Sequence, residues 1–211
     1  MKYINNININ LIWQTLRLLA NRIDGQTYTR KMIAPLNIHY ENIGSEPINP
    51  KHSYIMVCNH RSTYDIPLCH YTLFSNGLPY IFGIAKNKFL LPTIMRKMTS
   101  KDGKTILEAG SDNLAAWTFD HLSKGGNMLI YPESTRNRTT EPLLPFKAGV
   151  DVFVRKSKHD LLLCYIDHSE AIIADGRTDI TIKYKAFTPE DRRHIKIEPL
   201  YRELFSKELE S

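Results

Sequence analysis

Cysteine is scarce in this chain, and it follows no pairing pattern. Cys58, Cys69 and Cys164 are the only three in 211 residues, and none forms a Cys-x-x-Cys pair. An odd count without a framework excludes a disulfide miniprotein and points to a reducing, cytosolic setting. Long apolar runs are missing too. No window approaches the roughly 18 apolar residues of a spanning helix, and the first ten residues are too polar for a signal-peptide core. Nothing reads GxxxxGK[ST] or GxGxxG, which argues against Walker-type and dinucleotide-binding proteins. No repeat, low-complexity linker, helix-turn-helix, RNA-recognition or zinc-finger pattern occurs, so no nucleic-acid partner is expected. The spacing of His60, Asp65 and His70 matches no common metal site, so no metal is expected either.

What is present is globular. Hydrophobic residues make up 42% and charged residues 24%, enough for a sizeable core in one ordinary domain. Twenty-eight Lys and Arg against 22 Asp and Glu leave a net charge of +6. That excess suits anionic partners: nucleic acid, a membrane surface or phosphorylated small molecules. It lies in three blocks, over residues 1–35, 86–104 and 136–158. In the first block, Ile9, Ile12, Leu16, Leu19 and Ile23 recur at spacings of three and four, as on an amphipathic helix flanked by cations. Such a helix either packs on its own domain or lies in a membrane interface with its apolar face down. Residues 1–34 are therefore read as an N-terminal amphipathic helical segment, with both placements open, and 35–211 as the main domain.

Strand-like runs alternate with helical ones. Leu36–Tyr40, Tyr54–Cys58, Tyr80–Ile84, Met128–Tyr131 and Leu161–Ile166 read as strands, and Ile180, Ile182 and Tyr184 as a sheet edge. Helices are expected from about Ser62 to Leu73, after Ser111 up to Gly125-Gly126, and from Pro199. The fold class is α/β: a single domain with a mixed, mostly parallel sheet flanked by helices.

In such sheets, ligands gather at strand ends, and two of these ends carry unusual polar clusters. The first is Cys58-Asn59-His60-Arg61-Ser62-Thr63-Tyr64-Asp65. Five residues apart, His60 and Asp65 do not share a face of one helix. They can meet if His60 lies in the strand–helix turn and Asp65 in the first helical turn, with Ser62 or Thr63 as N-cap. The pair then reads either as a structural bond in a capped turn or as a carboxylate-oriented general base. Cys58, in an apolar strand, reads as an inert thiol rather than a nucleophile. The second cluster, Tyr131-Pro132-Glu133-Ser134-Thr135-Arg136-Asn137-Arg138, gathers hydroxyls, a carboxylate and guanidinium groups. It is either a phosphate site or a surface loop.

Taken together, the clusters resemble the glycerolipid acyltransferase family typified by 1-acyl-sn-glycerol-3-phosphate acyltransferase. That family carries Asn-His-x-x-x-x-Asp and, some seventy residues later, aromatic-Pro-Glu-Gly-Thr-Arg. Here these are Asn59-His60 with Asp65, and Tyr131 to Arg136. Tyr40–Ile43, Pro67 and Pro145-Phe146-Lys147-Ala148-Gly149 add to the likeness, which covers roughly residues 35–170. Ser134 stands in place of the usual glycine. Lys101 takes the place of a middle-block arginine, and Leu161–Ala171 lacks the late-block proline.

The resemblance implies an O-acyltransferase of phospholipid biosynthesis. It would move a fatty acyl group from acyl-CoA or acyl carrier protein to 1-acyl-sn-glycerol-3-phosphate, forming phosphatidate. It implies catalysis by His60 and Asp65, and acceptor binding by Glu133, Ser134, Thr135, Arg136 and Lys101. No cofactor is implied beyond the acyl thioester, which is a substrate. The enzyme would work at the cytoplasmic face of a membrane, peripheral or monotopic, which favours residues 1–34 as a membrane-interface segment. The alternatives are another lysophospholipid or an amino-acid lipid as acceptor, and a non-catalytic basic binding protein.

Overall fold

The structure, a computed structural model, describes residues 25–78, 81–85, 106–108, 114–190 and 193–210. The amphipathic pattern over Ile9–Ile23, the Ser111 cap and Lys101 lie outside the described residues. The described elements are α1 (Gly25–Ile33), β1 (Asn37–Asn42), β2 (Tyr54–Cys58), α2 (Asp65–Ser75), β3 (Ile81–Ala85), β4 (Ile106–Glu108) and α3 (Leu114–Ser123). They continue with β5 (Asn127–Ile130), α4 (Gly149–Lys156), β6 (Asp160–Ile166), α5 (Ala171–Ala174), β7 (Asp179–Phe187), α6 (Ile197–Leu204) and α7 (Ser206–Leu209).

The described strands form one sheet in the order β1-β7-β6-β2-β5-β3-β4. Every neighbouring pair is parallel except β6 and β7. The structure is thus the expected α/β domain with a mostly parallel sheet. One detail differs from the sequence reading. β7 is not an edge, because it lies between β1 and β6. Its alternation arises because one of its faces is only partly covered, with residues such as Thr181 and Lys183 half-exposed.

Central strands carry apolar side chains on both faces, as a parallel sheet covered on both sides requires. On β2, Tyr54, Met56 and Cys58 join the core layer under α1 and α2, with Ile33, Leu68 and Leu73. Ile55 and Val57 point the other way, towards Val150 and Val154 of α4 and Ile197 and Tyr201 of α6. β6 repeats the pattern, with Leu162, Cys164 and Ile166 on one side and Leu161, Leu163 and Tyr165 on the other. Each fully buried leucine contributes about 1.5–3 kcal/mol. Ile33 and Thr29 are buried, so α1 shares the core of the domain.

α2 begins later than expected. Its N-cap is Tyr64, and the helix starts at Asp65. Ser62 instead closes a turn just before it, its hydroxyl accepting the Tyr64 N–H at 2.9 Å. Pro67 is tolerated in the first turn, where a backbone N–H has no helical partner.

His70, on the same helix, is 1% exposed, and its Nδ1 has no hydrogen-bond partner among the described residues. Burial lowers its pKa from 6.5 to about 3. The unfolded chain therefore takes up a proton near pH 6.5 that the fold resists until about pH 3. This contribution is intact above pH 6.5 and declines as the pH falls towards 3. Urea unfolding at pH 7 and pH 5 should show His70→Gln losing less stability on acidification than the wild type. The difference should reach up to about 1.4 kcal/mol per pH unit.

Candidate active site

β6, β2 and β5 are adjacent and parallel, so their C-terminal ends emerge side by side. The chain leaving each strand supplies one part of a common site: Asn59–Asp65 after β2, Tyr131–Arg136 after β5, and Asp167–Glu170 after β6. The two clusters, far apart in sequence, meet at this sheet edge.

Asp65 lies at its centre, fully buried. Its Oδ2 accepts the Arg61 and Ser62 N–H groups, each at 2.7 Å. The same oxygen lies 2.9 Å from His60 Nδ1. A carboxylate oxygen only accepts, so Nδ1 carries the proton and Nε2 is left as the basic nitrogen. Ser169 donates its hydroxyl to Oδ1. The buried charge is stabilised by these four donors and by its place in the first turn of α2.

The His60 ring stacks on Tyr131, with centroids 4.1 Å apart and planes 18° from parallel. Tyr131 in turn points its hydroxyl at Cys69 Sγ, 3.8 Å away. The imidazole is therefore fixed at Nδ1 and over one face, while its side chain stays partly open to solvent, 15% exposed.

Glu133 is almost fully buried. One oxygen accepts the His60 N–H at 2.8 Å, and the other accepts the Leu144 N–H at 2.9 Å. Burial raises its pKa, and the N–H groups of Leu144 and His60 lower it in part. Its carboxylate thus ties the second cluster to the backbone of the first. Asn137 reinforces the join by donating its N–H to the His60 carbonyl at 2.6 Å. Arg61 reaches across the same gap, its guanidinium 3.0 Å from the Glu141 carbonyl oxygen and 3.0 Å from a Glu170 carboxylate oxygen.

The other expected acceptor residues lie on the loop after Glu133. Ser134 and Thr135 are exposed, and Arg136 is half-buried. Arg136 makes no ion pair with another described residue, so its fork is available to an anion. Ser134 has φ +58°, the left-handed region, which explains why a glycine suits this turn. All three cysteines are free and buried, and burial pushes the Cys58 thiol well up, which fits an inert thiol rather than a nucleophile. Among the described residues, no group of three His, Cys, Asp or Glu is placed to hold a metal ion.

Asn59, although part of the first motif, and Tyr201 were not read as supports of the site. Asn59 brackets the end of β6: its side-chain oxygen accepts the Ile166 N–H at 2.8 Å, and its amide donates to the Ile166 carbonyl at 2.9 Å. Tyr201, on α6, accepts the Asn59 N–H at 3.2 Å and donates to the Cys164 carbonyl. The only signal for Ser169 was its polarity directly after a buried strand.

Comparison with known proteins agrees with this geometry. A family profile described as Acyltransferase matches residues 39–167. A Caenorhabditis elegans protein, provisionally named 1-acyl-sn-glycerol-3-phosphate acyltransferase acl-1, is 26% identical over 165 residues. That match takes in 72% of this chain, which spans 60% of the relative's length. The crystal structure of the 1-acyl-sn-glycerophosphate acyltransferase PlsC from Thermotoga maritima superposes with a TM-score of 0.58 at 20% identity. The superposition covers 87% of this chain and 75% of that one.

The left-handed backbone at Ser134 gives a test of the turn. Ser134→Gly relieves its strain and should raise stability by about 0.5–1 kcal/mol, seen as a higher denaturant midpoint at unchanged slope. A lower midpoint would mean that the serine side chain contributes more than its backbone costs.

Proposed function

The chain belongs to the acyltransferase family, and on that premise we propose that it transfers a fatty acyl group from a thioester to the free hydroxyl of 1-acyl-sn-glycerol-3-phosphate, forming phosphatidate. The observation that carries this reading is the His60–Asp65 pair, with Nδ1 held at 2.9 Å and Nε2 left as the basic nitrogen. His60 Nε2 accepts the proton of the acceptor hydroxyl as its oxygen attacks the thioester carbonyl. A C–O bond forms and a tetrahedral oxyanion results. Its collapse breaks the C–S bond, and the imidazolium returns the proton to the departing thiolate. The thiol has a pKa near 8.5, so it leaves more readily than an alkoxide would. No covalent acyl-enzyme is needed, and no cofactor takes part besides the donor, acyl-CoA or acyl carrier protein.

Arg136 holds the acceptor phosphate through its planar fork. Thr135 and Ser134 add hydroxyl donors on the same loop, and Lys101 adds a further cation. Glu133 acts here through its grip on the backbone of His60 and Leu144, because both of its oxygens are already engaged.

The acceptor is a lipid, so the enzyme meets it at a bilayer surface. No helix among the described residues is long and apolar enough to cross a membrane. Residues 1–24, with the apolar stripe of Ile9–Ile23 and the cations Arg17 and Arg22, serve as an interfacial anchor at the cytoplasmic face.

Incubating the purified protein with a labelled acyl thioester and a panel of lyso-lipids, read by mass spectrometry, tests the reaction. Phosphatidate should be the main product, and a different preferred acceptor would overturn the lysophosphatidate assignment. His60→Ala should lower kcat by about 10²–10⁴ with the fold intact, and near-normal turnover would rule out the base. Removing residues 1–24, which spares the buried Thr29, should release the protein from anionic vesicles. Unchanged vesicle binding would show that the anchor lies elsewhere.

A further inference from the structure

We infer that Ser169 is a positioning residue of the catalytic pair, which makes the base a Ser169–Asp65–His60 relay of orientation rather than a two-residue unit. The inference deepens the proposed function and rests on His60 acting as the base. Ser169 is fully buried, and its hydroxyl donates to Asp65 Oδ1, the oxygen that His60 does not use. The three donors on Oδ2 engage only one of the two carboxylate oxygens, and the other is equally buried. A donor on Oδ1 satisfies that second oxygen and holds the carboxylate from its other end. Oδ2 then faces His60 Nδ1, and the imidazole plane and tautomer follow.

The segment carrying Ser169 is built to hold it there. Asn59 pins the end of β6 at Ile166 through both backbone groups. His168 then takes φ +49°, a left-handed turn that L-residues seldom adopt, and it redirects the chain towards α2. On the far side of Ser169, Glu170 pairs with Arg61 Nε at 3.0 Å. Ile166, Ser169 and Glu170 thus grip Asn59, Asp65 and Arg61 respectively. A backbone strained at one residue and pinned on both sides places one hydroxyl on one oxygen.

The hydroxyl also tempers charge. A donor on Oδ1 draws negative charge away from Oδ2, so its removal leaves a stronger counter-charge beside the imidazolium. The other titratable or charged groups around the pair are Glu133 and Tyr131 after β5, Arg61 and Glu170 beside the loop, and the thiols of Cys58 and Cys69. Substitution of Ser169 alters none of them, so a change in His60 titration reports on the Ser169–Asp65 bond.

The test uses Ser169→Ala and Ser169→Cys in the full chain. The cysteine variant is nearly isosteric and a weaker donor, and it decides the matter if the alanine variant does not fold. Both are assayed with acyl-CoA and lysophosphatidate, and the His60 ring is titrated by NMR, its signal assigned by its loss in His60→Ala. Ser169→Ala should lower kcat about 10- to 100-fold, the scale of a misplaced catalytic group. Its KM for lysophosphatidate should stay within about twofold of wild type, and the His60 midpoint should move upward. Ser169→Cys should fall between Ala and wild type in both readouts. Wild-type kcat with an unmoved His60 midpoint would overturn the proposal, as would a change confined to KM. If His60→Ala instead turns over normally, it is the general-base reading that fails, while the His60 titration still judges the Ser169 contact.

Discussion

The site depends on one ionised group sealed from water, the carboxylate of Asp65. A carboxylate with no exposed surface is costly unless donors surround it. Here two come from the backbone of the preceding turn, one from an imidazole and one from a serine after a distant strand. The start of α2 adds the positive end of its dipole. Removing the charge would leave those donors facing nothing, so the turn, the helix start and the β6 exit all share an interest in its presence. Stability and chemistry are coupled at this residue.

A second buried carboxylate does a different job with the same chemistry. Glu133 binds one N–H on each side of a seam, at His60 and at Leu144. Its role there is that of a rivet between loops, and the neighbouring Asn137 and Arg61 bonds repeat it. Two acidic residues that look alike in sequence thus divide the work: one orients an imidazole, and the other fixes the backbone that carries it.

Much of this was legible in the residues. The strand Tyr54–Cys58 followed by a polar cluster placed His60 and Asp65 in one turn, because five residues put them on a common side only across a strand–helix junction. The resemblance to the glycerolipid acyltransferases joined the two clusters, and the parallel β2–β5 pairing is the physical reason they meet. The sequence was silent where a role depends on what lies opposite in space. Ser169 is an ordinary serine until β6 is docked beside β2. Asn59 stands in the motif, but its job is not visible until its amide meets Ile166. The interior place of β7 was hidden because a half-covered strand alternates just as an edge strand does. The short helices α4 and α5 escaped because each spans too few turns to show a period.

The bonds that complete the dyad also have an order in time. Asp65 waits for Ser169, 104 residues further along, and Asn59 waits for Ile166, 107 residues away. Contacts of such separation close late, because the entropy of the intervening loop must be lost before they form. Local turns can bring His60 near Asp65 early, but Oδ1 gains its donor only when β6 docks on β2. A partly folded chain therefore has the imidazole and the carboxylate but lacks the Ser169 contact that completes their setting. Completion of the His60–Asp65–Ser169 set and completion of the sheet arrive together.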